Sequence, residues 1–180
     1  ASAEQFKKVG AIIRSEDARR YVVPSAPGKR FSSDTKVTDL LYSCYSLAEA
    51  DEDFETVLAE IRSRYDEIIS GLGLNLSLDD EFVTIRKNFK EKAGVDYAAS
   101  RGEYLNGIVM AEYLGYTFLD AANYITFKED GSFDDMVTNE KLSACLEKTE
   151  RAVIPGFYGA YVDGRVKTFS RGGSDVTGSI

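Results

Sequence analysis

The stretch Val153-Ile154-Pro155-Gly156-Phe157-Tyr158-Gly159, followed by Asp163-Gly164 and Arg171-Gly172-Gly173-Ser174-Asp175, decides how the C-terminal part of this chain folds. The apolar run before the proline predicts a strand, and Asp-Gly between two strand-like segments is a strong signal for a tight hairpin turn. The next two glycines let backbone N–H groups approach an anion closely, and serine or aspartate is favoured as a helix N-cap. We therefore expect a strand, a hairpin and a glycine-containing turn that opens a helix.

Arg171 adds a positive charge to this turn. Its planar guanidinium can bind a carboxylate through two parallel hydrogen bonds. A Gly-Gly-Ser-Asp sequence alone is commonly a loop that closes onto a capped helix, so this short motif leaves both interpretations open. Together, the residues favour a site for a small acidic substrate beside a helix start that handles phosphate.

Upstream of this stretch, apolar residues at helical spacing alternate with short apolar runs. The pattern predicts strands at 20–23 (buried), 117–119 and 125–127, and helices at 3–14, 40–47, 54–69, 78–89, 97–114 and 142–147. Such alternation predicts an α/β fold with a mainly parallel sheet between helix layers. Residues 51–95 are interpreted as a helical insert on the substrate side, whose charged residues form a solvated outer face: Glu60, Arg62, Arg64 and Asp66.

Composition excludes several classes of function. The net charge of −8 argues against a nucleic-acid-binding protein, and no apolar run approaches the roughly 18 residues of a membrane span. The absence of histidine excludes Ser-His-Asp and Cys-His catalysis and histidine-ligated zinc, whereas phosphoryl transfer fits the remaining side chains. Cys44 and Cys145 lie at apolar, helix-like positions and are interpreted as buried thiols in a reducing cytoplasm.

Four segments, taken in order, resemble the aspartate kinases of the amino-acid kinase superfamily. They are Tyr21-Val22-Val23-Pro24-Ser25-Ala26-Pro27-Gly28-Lys29, Val37-Thr38-Asp39-Leu40-Leu41, Ser100-Arg101-Gly102-Glu103, and Gly156-Phe157-Tyr158-Gly159 continued by Arg171 to Asp175. They are similar to the family's Val-Val-Ser-Ala-x-Gly-Lys, Thr-Asp/Asn-x-Leu, Ser-x-Gly-Glu, and Gly-Phe-x-Gly with Arg-Gly-Gly-Ser-Asp. The resemblance covers nearly all of the chain and implies a three-layer αβα sandwich, the amino-acid kinase fold.

The resemblance also implies an activity. The expected reaction is transfer of the ATP γ-phosphoryl group, with Mg²⁺, to the side-chain carboxylate of L-aspartate, the first step toward lysine, threonine and methionine. It implies that residues 1–180 are a partial kinase domain, without the family's N-terminal Lys-Phe-Gly-Gly strand, nucleotide-binding half or regulatory domains. The parent enzyme is expected to be a cytoplasmic homo-oligomer. The alternatives are a kinase for glutamate or N-acetylglutamate, and an inactive fragment that binds substrate.

Roles for single residues follow from the same resemblance. Arg171 would bind the α-carboxylate of aspartate, Glu103 would pair with its α-ammonium group, and Asp175 would act at the catalytic centre by orienting phosphate-binding lysines. Further substrate contacts are expected from Ser25, Thr38, Phe157, Gly172, Gly173 and Ser174. Structural alternatives remain, namely a strand-end loop for Ser25, an N-cap for Thr38 and core packing for Phe157. Lys29 is interpreted as solvated, and Asn106 stands where many relatives have serine.

Overall fold

The structure is a computed structural model that describes residues 2–170 and 172–180. Its helices are α1 (Ala3–Arg14), α2 (Val37–Glu49), α3 (Glu55–Leu72), α4 (Asp79–Lys90), α5 (Val95–Leu114), α6 (Ala121–Tyr124), α7 (Asp135–Leu146) and α8 (Gly173–Ser179). Its strands are β1 (Tyr21–Val22), β2 (Thr117–Phe118), β3 (Thr126–Phe127), β4 (Ala152–Val153), β5 (Tyr158–Tyr161) and β6 (Val166–Thr168). Each helix and strand predicted from the sequence overlaps one of these elements.

Two helical segments differ from the prediction, and both differences arise from aspartate caps. Helix α6 was not predicted, and α7 begins at Asp135 rather than at residue 142. Asp120 accepts a hydrogen bond from the N–H of Ala122, and Asp134 accepts one from the N–H of Val137. These caps satisfy N–H groups of the first turn, so a helix can begin where the apolar periodicity is weak.

The strands form two small sheets whose central strands are consecutive in the chain. In the first sheet β4 lies between β1 and β2, and both pairings are parallel. In the second sheet β5 lies between β3, which is parallel to it, and β6, which is antiparallel and completes the predicted hairpin. The predicted α/β fold with a mainly parallel sheet is confirmed. The predicted burial of the first strand is wrong, because β1 pairs with β4 along one side and leaves Tyr21 39 % exposed.

Helix α5 lies at the centre of the larger hydrophobic core. Its residues are buried on nearly every face, and α1, α2, α3 and α4 pack around it and around one another. Cys44 is buried in this core, as predicted. Cys145 is only half-buried, because α7 buries little besides Thr138 and Leu142. Among the described residues, no helix is both long enough and apolar enough to cross a membrane.

Glycines end two of the helices and begin a third. Gly73 and Gly115 adopt left-handed conformations after α3 and α5, and the predicted stop at Gly115 is thereby confirmed. The predicted cap of α8 is wrong, since Gly172, with φ 56°, occupies the N-cap position in place of Ser174 or Asp175. Left-handed backbone of this kind favours glycine, which has no Cβ.

The Gly-Phe-Tyr-Gly segment joins the two sheets through close backbone contacts. A Cβ atom at Gly156 would lie 2.7 Å from Ser174 Cα, so this glycine lets the start of α8 pack directly on the link between β4 and β5. A Cβ atom at Gly159 would collide with the carbonyl oxygen of Ile125, which accepts a hydrogen bond from the N–H of Ala160. Both glycines are therefore required by packing.

The Gly159→Ala substitution is expected to lower the free energy of unfolding by about 2 kcal/mol, because a backbone carbonyl cannot move aside as a flexible side chain can. Urea denaturation would measure the change. Gly178→Ala is the matched control, since the space around Gly178 is open and its position near the end of α8 tolerates alanine. Equal stability of the two variants would contradict the packing argument.

Candidate functional site

One cavity, of about 280 Å³, gathers residues that are far apart in the sequence. They come from the loop after β1, the first turn of α2, the third turn of α5, the link between β4 and β5, and the start of α8. Arg171 falls outside the described residues. All the other site residues predicted from the sequence line this cavity, namely Ser25, Thr38, Glu103, Phe157, Gly172, Gly173, Ser174 and Asp175. Their functional roles remain predictions.

The topology of the first sheet explains why these segments meet. Strands β1 and β4 are parallel neighbours, so their C-terminal ends lie at the same edge of the sheet, where ligands of α/β proteins commonly bind. Ser25 follows one strand and Phe157 follows the other. The N–H of Gly156 donates to the carbonyl oxygen of Pro24 at 3.1 Å, so the two strand ends stay paired as they enter the cavity.

Glu103 is the most buried charged residue that lines the cavity. The residue is 6 % exposed, and Oε1 accepts a hydrogen bond from the N–H of Ala26 at 3.0 Å. Its second oxygen, Oε2, is buried without any hydrogen-bond partner. A buried carboxylate oxygen without a donor is energetically unfavourable, which makes a ligand with N–H donors the natural partner.

Burial has a direct effect on the charge of this carboxylate. Loss of solvent raises the pKa of Glu103 from its ordinary 4.5 to about 7, although the hydrogen bond from Ala26 acts in the opposite direction. A positive group placed next to Oε2 would favour the ionised form. The site is therefore suited to a cation.

The raised pKa predicts how stability depends on pH in the absence of ligand. Between about pH 4.5 and pH 7 the folded protein retains a proton on Glu103 that the unfolded chain has released, so the contribution of Glu103 to stability falls as pH rises through this window. Glu103→Gln removes the titration, and its stability advantage over the wild type should grow up to about pH 7 and then stay constant. Urea denaturation of both proteins from pH 4.5 to 8 would test this, and a pH-independent difference would contradict it.

Phe157 forms an aromatic wall of the cavity with an unusual backbone. Its φ angle is 79°, a conformation that is rare for a bulky residue and is maintained only where the surroundings impose it. The N–H of Phe169 donates to the carbonyl oxygen of Phe157 at 2.9 Å, and a Cβ atom at Gly173 would lie 2.7 Å from Phe157 Cα. The start of α8 thus presses against this residue. Its half-buried ring both packs and lines the cavity.

The remaining predicted residues differ in exposure. Thr38 is the second residue of α2, and Lys36 occupies the N-cap position, so the alternative role of Thr38 as an N-cap is wrong. Ser174 is half-buried, whereas Asp175 is exposed at the cavity edge. Lys29 is exposed, does not line the cavity, and its Nζ donates to the carbonyl oxygen of Ser32.

Arg64 corrects the prediction of a fully solvated charged face on the insert. Its side chain is 3 % exposed and forms an ion pair of 3.2 Å with Asp34, whereas Arg62 on the same helix is 44 % exposed. Arg64 also donates to the carbonyl oxygens of Gly28, at 2.8 Å, and Thr35. It is buried because it satisfies the polar groups of loop 25–36, the segment that separates Ser25 from Thr38.

Asp34 completes this cluster from within the loop. It accepts hydrogen bonds from the backbone N–H and the guanidinium of Arg30, which hold the pKa of its carboxyl well below the usual range. Neither Asp34 nor Arg64 was predicted as part of the site. In the sequence both are ordinary charged residues, so only their tertiary contacts identify them as part of the site.

The described residues contain no group of three or more acidic or cysteine side chains placed to hold a metal ion. At the cavity, a buried carboxylate lies beside a polar, glycine-containing wall.

Comparison with known proteins places this geometry in a family. A scan against protein-family models finds no match. The chain is 35 % identical to aspartokinase 3 of Bacillus subtilis (strain 168) over 198 residues, which cover 100 % of this chain and 43 % of that protein. Aspartate kinase from Clostridium acetobutylicum is 49 % identical, with a TM-score of 0.96 over 99 % of this chain and 41 % of that one.

Two crystal structures of Escherichia coli aspartokinase III share the fold. The structure with aspartate and ADP gives a TM-score of 0.79 at 23 % identity, over 97 % of this chain and 42 % of that one. The structure with lysine and aspartate gives 0.80 at 22 % identity, over 98 % and 43 %. The chain therefore belongs to the aspartate kinases and spans about two fifths of the length of the relatives that it matches.

Proposed function

We propose that this chain carries the amino-acid substrate site of an enzyme that transfers the γ-phosphoryl group of ATP to the side-chain carboxylate of L-aspartate. The observation that supports the proposal most directly is Glu103, a buried carboxylate on the cavity whose Oε2 has no partner. The α-ammonium group of an amino acid has three N–H donors and a positive charge, so it would satisfy Oε2 and favour the ionised form of the carboxyl.

The other end of the substrate would be bound by the segment from Arg171 to Ser174. The guanidinium of Arg171 would pair with the α-carboxylate, and Gly172, Gly173 and Ser174 would supply N–H and hydroxyl donors. Ser25 and Thr38 would contribute hydroxyl groups. Phe157 would exclude water from the methylene group between the two carboxylates of aspartate.

The reaction itself needs little acid–base chemistry. The side-chain carboxylate of aspartate is already ionised at pH 7, so one of its oxygens can attack the γ-phosphorus without losing a proton. A new O–P bond forms as the bond to the departing ADP breaks, and catalysis depends on positioning and charge. Asp175, exposed at the cavity edge, would orient the lysines that bind the phosphate. We assign no described residue to ATP or Mg²⁺.

The wider setting belongs to the same proposal. The elements would form the substrate half of a three-layer αβα kinase domain, with residues 51–95 as its helical insert. The full-length protein would be a cytoplasmic homo-oligomer that binds L-aspartate and ATP. E. coli aspartokinase III, which shares this fold, has been crystallised with aspartate and ADP, which agrees with these ligands.

An assay of the full-length protein would test the proposal. Incubation with ATP and L-aspartate should release ADP and form an acyl phosphate that hydroxylamine traps as the hydroxamate. N-acetyl-L-glutamate lacks an ammonium group and should give neither product, because it would leave Glu103 buried and unpaired. L-Glutamate, the closer analogue of aspartate, is tested as a third substrate. ADP release with L-glutamate or N-acetyl-L-glutamate but not with L-aspartate would refute the proposal.

A further inference from the structure

Asn106 lies one helical turn after Glu103 on α5 and shares its environment. The residue is 6 % exposed, and Nδ2 donates to the carbonyl oxygen of Ser25 at 2.7 Å. Glu103 Oε1 accepts from the N–H of Ala26. The carbonyl of Ser25 and the N–H of Ala26 belong to one peptide group, so the two side chains bind both polar ends of the same peptide.

Close packing of the loop on α5 makes this arrangement possible. A Cβ atom at Gly102 would lie 2.8 Å from Ala26 Cβ, so only glycine allows the loop to approach this near. The short distance leaves little freedom for the Ser25–Ala26 peptide to rotate. Asn106 therefore has a definite orientation, because a carbonyl oxygen can accept only from the amide nitrogen of the asparagine.

This orientation leaves Asn106 Oδ1 buried without a hydrogen-bond partner, as Glu103 Oε2 is. These are the two buried side-chain polar atoms of the described residues that lack a partner, and both side chains bind the same peptide at the cavity wall. Asn106 does not line the cavity, so it acts through this peptide, whereas Glu103 and Ser25 line the cavity themselves.

We propose that Asn106 is a positioning residue for recognition of the substrate's amino group. It fixes the Ser25–Ala26 peptide, whose N–H engages Oε1 of Glu103 and leaves Oε2 unpaired for the ligand. The proposal rests on the proposed function, since it concerns the amino group of that substrate.

The test compares the full-length enzyme with its Asn106→Leu variant, which removes both polar atoms at similar side-chain size. KM for L-aspartate should rise by about tenfold, in line with the loss of a buried hydrogen bond that positions Glu103. The inhibition constant of succinate, which has both carboxylates but no amino group, should be unchanged, and so should KM for ATP. Asn106→Ala, which removes the same hydrogen bond without adding bulk, is the second variant in case the leucine variant fails to fold.

Asn88→Leu is the matched control, because Asn88 on α4 is a half-buried asparagine whose Nδ2 donates to the Tyr97 hydroxyl at 2.7 Å. It should leave KM for L-aspartate unchanged. An unchanged KM for aspartate in the Asn106 variants would refute the role of Asn106 without affecting the proposed function. Equal weakening of aspartate and succinate would also overturn it, since that pattern indicates general damage to the cavity. A wild-type enzyme without activity on aspartate would instead refute the proposed function.

Discussion

Glu103→Gln is expected to weaken binding of L-aspartate by about a hundredfold, or roughly 3 kcal/mol, because the substrate's ammonium group would lose its buried counter-charge. Glutamine has nearly the same shape and still offers an oxygen, so the cavity should keep its form. The change therefore isolates charge. It should raise KM for aspartate and leave KM for ATP close to the wild-type value.

Steady-state kinetics of the full-length enzyme would measure this effect. Glu112→Gln is the control, because Glu112 is an exposed glutamate on the same helix. The ligand-free Glu103→Gln protein should be at least as stable as the wild type at pH 8, since the substitution removes a buried, unsatisfied carboxylate. An aspartate KM equal to that of Glu112→Gln would show that Glu103 does not bind the ammonium group.

Local sequence patterns predicted the elements of this fold because each pattern depends on neighbours along the chain. The apolar spacing along α5 predicts where that helix runs, and the glycine after it predicts where it ends. Helix α6 has too few residues for any periodicity, and its aspartate cap is the only local signal. The N-cap of α8 was misassigned because a left-handed Gly172 depends on the packing of Gly173 against Phe157.

The site was predicted from family resemblance, and the structure brings the described members of that set to one cavity. What the sequence could not provide is the environment of each polar group. Glu103 and Glu112 are both glutamates of α5, yet only Glu103 is buried. Asn106 could have been suspected from its position one turn after Glu103, but its contact with Ser25 spans 81 residues. Tertiary contacts at that separation leave no local pattern.

The role of Arg64 is likewise visible only from its tertiary contacts, and its replacement is expected to lower stability strongly. Arg64→Met is expected to lower the free energy of unfolding by about 3 kcal/mol, because the carbonyl oxygens of Gly28 and Thr35 would lose a buried cationic donor. Methionine retains much of the volume, so the loss reflects hydrogen bonds and charge. Urea denaturation at pH 7 would measure it.

Arg62→Met is the matched control, since Arg62 lies two residues away on α3, its ion pairs are exposed and contribute little to stability, and its stacking over Phe82 is distant at 5.9 Å. Arg64→Lys should recover part of the loss at most, because an ammonium group cannot reproduce the planar fork that serves two carbonyls and Asp34 together. Loop 25–36, which Arg64 binds, carries Ser25 and leads into α2, so loss of these hydrogen bonds should also raise KM for aspartate. Equal stability of the Arg64→Met and Arg62→Met proteins would mean that Arg64 on α3 does not hold loop 25–36 in place.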